Sequence, residues 1–538
     1  MRKIIPVILM ILIPSIVAVI IINQNERSLL HPPTMDLSMF EHQAVVDHSE
    51  FEELQGVFDS AQAVTAACLS CHNRRGAEVM KTAHWKWSRE EYIEGKGIVP
   101  LGKKNILNNF CIGVSGSEGT CTRCHIGYGW KDKSFDFKNQ NNIDCLVCHD
   151  NTGTFRKGKG MAGLPDPSVD LPYVAQNVGL PTKQNCGVCH FWGGGGNNVK
   201  HGDLDIALLE SSKQVDVHMA ANGIDMTCVA CHKTENHKIS GKVYASSSEN
   251  KDRLVCEQCH TETPHNDKLL NQHNIRIACQ TCHIPEYAKV NSTKMIWDWE
   301  TAGQMDDSGH PAHWNDQDGN HKYMAIKGTF IWDDHVTPEY YWFNGTANHQ
   351  LIGDKIDITN LPLQMNTLYG SYSDKGDSTG EGCSKIWPVK VHRGRQIFDS
   401  KHLTLIQPKL WDKEKGKGAY WKDFDWNVAA QKGMDYLELP YSGEFDFVET
   451  EMYWPLNHMV SPADKSLGCK DCHIRKTGRL EELTDFYMPG RDRLVTLDAS
   501  GIILVLISLL GVFVHSTLRL TSVFKRENNS IKHQKSEQ

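Results

Sequence analysis

Three observations set the fold class. Cys-x-x-Cys-His occurs eight times, 27 histidines exceed the eight that those motifs contain, and apolar runs of membrane length stand at both ends of the 538-residue chain. Together they predict a mainly α, loop-rich protein organised around eight covalently bound c-type haems, with one or two terminal transmembrane helices. Composition alone expects the pentapeptide about 0.03 times in such a chain. The motifs are Cys68/Cys71/His72, Cys121/Cys124/His125, Cys145/Cys148/His149, Cys186/Cys189/His190, Cys228/Cys231/His232, Cys256/Cys259/His260, Cys279/Cys282/His283 and Cys469/Cys472/His473. They use sixteen of the 18 cysteines and leave Cys111 and Cys383. Zinc ribbons and disulfides explain the spacing poorly, because neither requires a histidine directly after every second cysteine, whereas haem attachment uses it as the proximal ligand.

Taken in order, residues 1–22 start with Arg2 and Lys3 and then run apolar, as in a signal anchor or signal peptide, and 23–40 is a polar linker. Either form exports the body, as haem attachment requires. Residues 41–294 form a haem-rich region with seven motifs, where macrocycles supply much of the apolar core and short helices carry the cysteines. Motifs as close in sequence as those at Cys121 and Cys145, or at Cys256 and Cys279, predict haems in contact.

Residues 295–480 are aromatic-rich and read as helical, closing with the eighth motif. Helices are expected over 420–437 and 443–459, with Ser442 as a cap and Pro455 as a kink. After a linker at 481–497, residues 498–518 predict a transmembrane helix, and the basic tail 519–538 predicts a cytoplasmic end. His515 near that end reads as an interfacial polar residue without a redox role, the alternative being a quinone or haem contact. The haem body then lies on the periplasmic side of a bacterial inner membrane. A formal charge of −8, made more negative by haem propionates, excludes a nucleic-acid footprint.

Eight haems need up to sixteen axial ligands. Motif histidines supply part of them, and His48, His84, His201, His218, His237, His265, His273, His392 and His458 are the candidates for the other faces. A bis-His iron has no place for substrate, so most of the haems are expected to carry electrons. In Cys186 to Asp205, CGVCHFWGGGGNNVKHGDLD, a lysine follows a four-glycine run beside an attachment motif. Lys200 is either a solvated cation or, if desolvated, a neutral amine able to ligate iron.

That stretch, with CQTCHIPEYA, KIWPVKVHRGRQIFDS and FVETEMYWPLNHMV, resembles the octahaem tetrathionate reductase family, itself related to hydroxylamine oxidoreductases and pentahaem nitrite reductases. The resemblance implies a multihaem oxidoreductase acting on a small inorganic substrate, most directly tetrathionate cleaved to thiosulfate. It implies that Lys200 replaces His125 on the haem of Cys121 and Cys124, that His72, His149, His190, His232, His260, His283 and His473 keep bis-His haems, and that Cys111 lies near the distal pocket. Cys111 then takes part by thiol exchange or by shaping the pocket; the other readings are a buried thiol or a bridge to Cys383. Asn197 departs from the family pattern, where an acidic residue stands three positions before the lysine. The terminal helices are the second departure, and they point to electrons from the quinone pool or a membrane quinol dehydrogenase. Nitrite or hydroxylamine chemistry is the alternative activity, the oxidative form needing a tyrosine cross-link for which Tyr487 is a candidate. A purely electron-transferring cytochrome is the non-enzymatic alternative.

Overall fold

The computed structural model describes residues 46–241, 253–376 and 383–536. The signal anchor expected at 1–22 and the linker at 23–40 lie outside them. The chain divides into two units, residues 1–467 and 468–538.

In the first unit the motif-bearing half is built as expected from short pieces. Helix α1 (Ala61–Cys71) carries the first motif and α2 (Lys183–His190) the fourth, while the fifth motif rides on a single turn, Cys228–Cys231. Each longer helix has a side-chain cap: the Ser60 hydroxyl accepts from the Ala63 N–H, and Thr182 with Asn185 closes a capping box. Val64, Leu146, Val147 and Tyr128 join the first and third motifs in one apolar cluster.

The sixth motif corrects the expectation that a short α-helix carries every cysteine pair. It has only a 3-10 turn, Cys256–Gln258, and its second cysteine, Cys259, follows that turn and is exposed. In the seventh motif both cysteines lie in one short helix, Cys279–His283; there Cys282 is half-buried, and its main-chain carbonyl accepts from the Leu467 N–H at 3.0 Å.

Between the seventh and eighth motifs the expectation of a helical region is overturned. A nine-stranded sheet occupies it, so the chain is not mainly α. Its strands are β1 (Thr293–Asp298), β2 (His313–Asn315), β3 (His321–Met324), β4 (Gly328–Asp333), β5 (Glu339–Phe343), β6 (Leu363–Gln364), β7 (Lys385–Asp399), β8 (Thr404–Leu405) and β9 (Phe445–Pro455). The order is β6-β9-β7-β1-β4-β3-β2, with β5 and β8 also paired to the long β7. β7 runs antiparallel to β9 from Val389 opposite Pro455 to Asp399 opposite Phe445, and parallel to β1 with Arg393 opposite Ile296.

The stretch expected as a helix over 443–459 is therefore mainly strand. From Val448 on, Val448, Thr450, Met452 and Trp454 point into the core, an alternation of period two in β-branched and aromatic residues. Ser442 caps no helix; its N–H and hydroxyl donate to the Asp399 carboxylate at 2.7 and 2.8 Å. Pro455 ends the strand and kinks nothing. Over 420–437 the chain is helical in two pieces, Tyr420–Asp423 and α3 (Trp426–Leu437), separated where Phe424 turns left-handed at φ 55°.

The sheet positions the site. Trp297, Trp299, Phe330, Met452 and Trp454 form one core with Phe110, Ile112 and Val199, so the segments bearing Cys111 and Lys200 are packed against the same strands. In the second unit the eighth motif (Cys469–Cys472 helix) precedes α4 (Val495–Ser536), whose stretch Val495–Arg526 contains an 18-residue window of mean hydropathy 2.4, none of it buried.

Candidate active site

An imidazole nitrogen bonds a metal at about 2.0 Å and its ring centre lies about 1.1 Å further back, so two rings on opposite faces of one iron would stand about 6.2 Å apart. Six histidine pairs have this spacing: His48 and His72 at 6.3 Å, His84 and His190 at 6.2 Å, His149 and His237 at 6.5 Å, His218 and His260 at 6.1 Å, His232 and His458 at 6.5 Å, and His265 and His283 at 6.2 Å. Each joins a motif histidine to one from elsewhere in the chain.

In four of these rings the outer nitrogen is held as a haem ligand requires. His149 Nδ1–H donates to Gly179 O at 2.8 Å and His232 Nδ1–H to Ser240 O at 3.0 Å, while the carboxylates of Glu78 and Asp203 accept from His237 and His458 at 2.9 and 3.3 Å. Nε2 is left for iron in each. Asp203 and Asp216 raise the His458 pKa against its burial. His273 and His473 likewise use Nδ1, toward Leu269 O and Pro489 O.

Thiols of different motifs touch: Cys68 with Cys145, Cys124 with Cys189, Cys186 with Cys228 and Cys256 with Cys279. Only the last of these is a contact that sequence proximity anticipated. It joins the first cysteines of the sixth and seventh motifs; of the second cysteines, Cys282 is held through its main chain and Cys259 lies toward the fifth motif, where with burial it helps to raise the Cys231 pKa. The second motif meets the fourth, and the third meets the first, because the intervening loops fold back.

His125 is the inverted case. Its Nε2–H donates to Trp85 O at 2.6 Å, so the nitrogen that its counterparts offer to iron is occupied. The ring is fully buried among Trp85, Trp87, Trp130, Phe135 and Phe137 at centroid distances of 4.7–6.1 Å, and burial pulls its pKa down to about 3. The aromatic run after the motif, HIGYGWKDKSFDF, was the available signal for this cage.

Lys200 lies with its amine 4.8 Å from the Trp454 ring and 5.3 Å from Phe110. Among the described residues that amine has no carboxylate and no hydrogen-bond acceptor, and burial pulls its pKa down to about 7. Of the glycine run, Gly194 is the position that a side chain could not share. A Cβ on Gly193 would lie 3.4 Å from Lys200 Cδ, one on left-handed Gly194 only 2.8 Å from Phe110, and one on Gly195 3.6 Å from Lys327 Nζ. Main-chain carbonyls of Val199 and Lys200 accept from Lys390 Nζ at 3.0 and 3.3 Å.

Cys111 and Cys383 are separate free thiols; Cys383 accepts from Arg276 at 2.9 Å. Burial pushes the Cys111 thiol up, with Lys327 and Lys294 opposing. Asn197 lines a cavity of about 570 Å³, and its side-chain oxygen accepts from the Ile206 N–H. Of the remaining proposed ligands, neither His201 nor His392 is ring-paired with a motif histidine among the described residues. His201 stands edge-on to Trp454 at 5.1 Å, and His392 is fully buried near Lys390 and Lys294 with both ring nitrogens unpartnered.

Known proteins resemble this chain over most of its length. A bacterial cytochrome c family model matches residues 294–476. The crystal structure of an octaheme cytochrome c from Shewanella oneidensis is 44% identical, covers 84% of this chain and 99% of its own, and superimposes with a TM-score of 0.75. An uncharacterized protein of Archaeoglobus fulgidus is 25% identical over 244 residues, 36% of this chain and 80% of that protein. With the cysteine motifs and paired histidines already in place, this likeness makes the chain a member of the octahaem family of multihaem c-type cytochromes, with covalently bound c-type haems.

Proposed function

We propose that the protein is a membrane-anchored periplasmic reductase that delivers electrons to a small inorganic anion, tetrathionate first, at a haem held by Cys121 and Cys124 and ligated by Lys200. The observation that carries this reading is the pairing of an unpartnered Lys200 amine with a His125 whose Nε2 is bound to a main-chain carbonyl. The haems supply a chain of one-electron carriers and an iron at which substrate is reduced.

The residues supply the rest. The six histidine pairs saturate their irons and restrict those centres to electron transfer. Glu78 and Asp203 hold ligand rings in one tautomer and raise their basicity, which favours the oxidised iron. The Trp and Phe cage keeps His125 neutral and immobile. Burial keeps the Cys111 thiol protonated beside the site. Tetrathionate takes two electrons, its central S–S bond breaks, and two thiosulfates leave, so this reduction needs no proton donor.

Anchoring is read from α4: its 18-residue apolar window, none of it buried, is long enough to cross a bilayer and suits side chains in lipid. Arg519, Lys525 and Arg526 put its C-terminal end in the cytoplasm. In the same unit Pro489 O holds the His473 ring six residues before the helix begins, which keeps the eighth attachment site near the helix's N-terminal end. That placement suits electrons from the quinone pool or a membrane quinol dehydrogenase. The deciding experiment is steady-state reduction of tetrathionate, nitrite and hydroxylamine with Lys200→Ala in parallel. Loss of activity is expected; unchanged turnover in the variant removes the ligand assignment. Failure of the ferrous protein to bind carbon monoxide would leave a pure electron carrier.

A further inference from the structure

The cavity beside Asn197 is lined by Gly195, Val199, Lys294 and Lys327, together with Asp318, His321 and Asp334, which are exposed. Lys294, near the start of β1, is 4% exposed, and its Nζ lies 3.8 Å from the Trp297 ring and 3.7 Å from Phe330. Lys327, in the turn between β3 and β4, lies 5.8 Å from the same Trp297 ring and 5.4 Å from Trp421. Among the described residues neither nitrogen has a carboxylate or a hydrogen-bond acceptor. Aromatic faces offer neither nitrogen an acceptor for its N–H groups, and burial holds both pKa values below the ordinary lysine value, Lys294 well below it with Lys327 adding to the shift. Two lysine amines with unused donors, Lys294 buried and Lys327 half-buried, opening onto one cavity, are complementary to an anion carrying more than one negative charge, which favours their protonated forms.

We infer that Lys294 and Lys327 form an oxyanion subsite that selects divalent sulfur oxyanions, engaging a terminal sulfonate while the glycine run brings the other end of the molecule toward Lys200 and Cys111. This rests on the reading of Lys200 as the ligand at the reducing centre. Lys327 Nζ reaches that segment at Gly195, 3.6 Å from where a Cβ would stand. Uncharged hydroxylamine gains nothing from the pair, so the subsite separates the substrate classes by charge.

The test uses the full-length haem-loaded protein in detergent, with Lys294→Met, Lys327→Met and the charge-retaining Lys327→Arg. Equilibrium dialysis of labelled tetrathionate against the oxidised protein reads binding directly. Steady-state KM for tetrathionate and for hydroxylamine reads selectivity. Each Met variant is expected to weaken tetrathionate binding and raise its KM about tenfold, with hydroxylamine KM and the haem spectrum unchanged and partial recovery in Lys327→Arg. Unchanged tetrathionate binding in both Met variants overturns the inference, and so does an equal loss for both substrates, which marks a structural role. Wild-type protein that reduces neither substrate overturns the reductase reading alone, since dialysis still decides whether the lysines hold the anion.

Discussion

Lys390→Met is the most exacting perturbation of the segment that carries Lys200. Lys390 is fully buried in β7, opposite Trp454 in the register. Its Nζ meets Val199 O at 3.0 Å, Lys200 O at 3.3 Å and Thr293 Oγ1 at 2.6 Å. Burial pushes its pKa well down, yet three acceptors match the three N–H groups of an ammonium, so the charged form is the one this geometry suits. Methionine fills nearly the same volume without donors. Leaving two buried carbonyls unpaired costs about 1 to 3 kcal/mol each, and relief of the buried charge offsets part of it. The net loss is about 2 to 4 kcal/mol, concentrated on residues 196–203. Local opening should then be favoured about 30- to 1,000-fold. The reporter is the Asn198 amide, which donates to Phe191 O at 3.0 Å. Hydrogen exchange of peptides covering it should accelerate by that factor while peptides from β9 keep their protection. Parent-like exchange at Asn198 would refute the claim that Lys390 fastens the ligand-bearing segment.

Three further outcomes follow from the same kind of accounting. His349 is 3% exposed, has an unpartnered Nε2 and is held at a pKa of about 3 by burial and by Lys96 and Arg89, so the unfolded chain gains its proton first as pH falls. Stability from the neutral ring is complete above about pH 6.5 and is lost toward pH 3, a swing on the order of 4 kcal/mol; urea midpoints of His349→Gln should depend less on pH in that window, and an unaltered slope counts against it. Glu78→Gln removes the carboxylate that accepts from His237, and redox titration should show one haem raised by about 40 mV, the equivalent of about 1 kcal/mol for one electron; no shift would mean that the pairing with His149 is not a ligand pair. Gly202→Ala places a Cβ 2.6 Å from the Tyr287 ring at φ +84°, and a loss of about 2 to 4 kcal/mol should appear as a lower thermal midpoint, whereas an unchanged midpoint would mean that the loop relaxes freely.

Local chemistry was legible where it is written in consecutive residues. Eight attachment motifs, the apolar run now seen as α4, and Lys200 as an unusual residue needed no tertiary information, since thioether formation and lipid transfer depend on covalent spacing and on side-chain polarity alone. The region after the seventh motif was misread because its aromatic clusters fit either period over short windows. Strand β9 shows why: its inward residues Val448, Thr450, Met452 and Trp454 are identified as such only by a partner strand, β7, some sixty positions earlier. The same limit applied to histidine. Nine candidates could be named from the chain, but which ring faces which is set by folding, as with His149 and His237 or His84 and His190.

The division is clearest around the glycine run. The sequence by itself determined that a lysine and four glycines stand beside a haem motif, because those are properties of neighbours along the chain. Only the tertiary structure decided that His125 turns its Nε2 to Trp85 O, that Lys390 reaches from β7 to hold the Lys200 carbonyl, and that Lys294 and Lys327 meet over one indole. Burial and hydrogen-bond satisfaction depend on residues far apart in sequence, and they exist only once the sheet has closed over the haem-bearing loops.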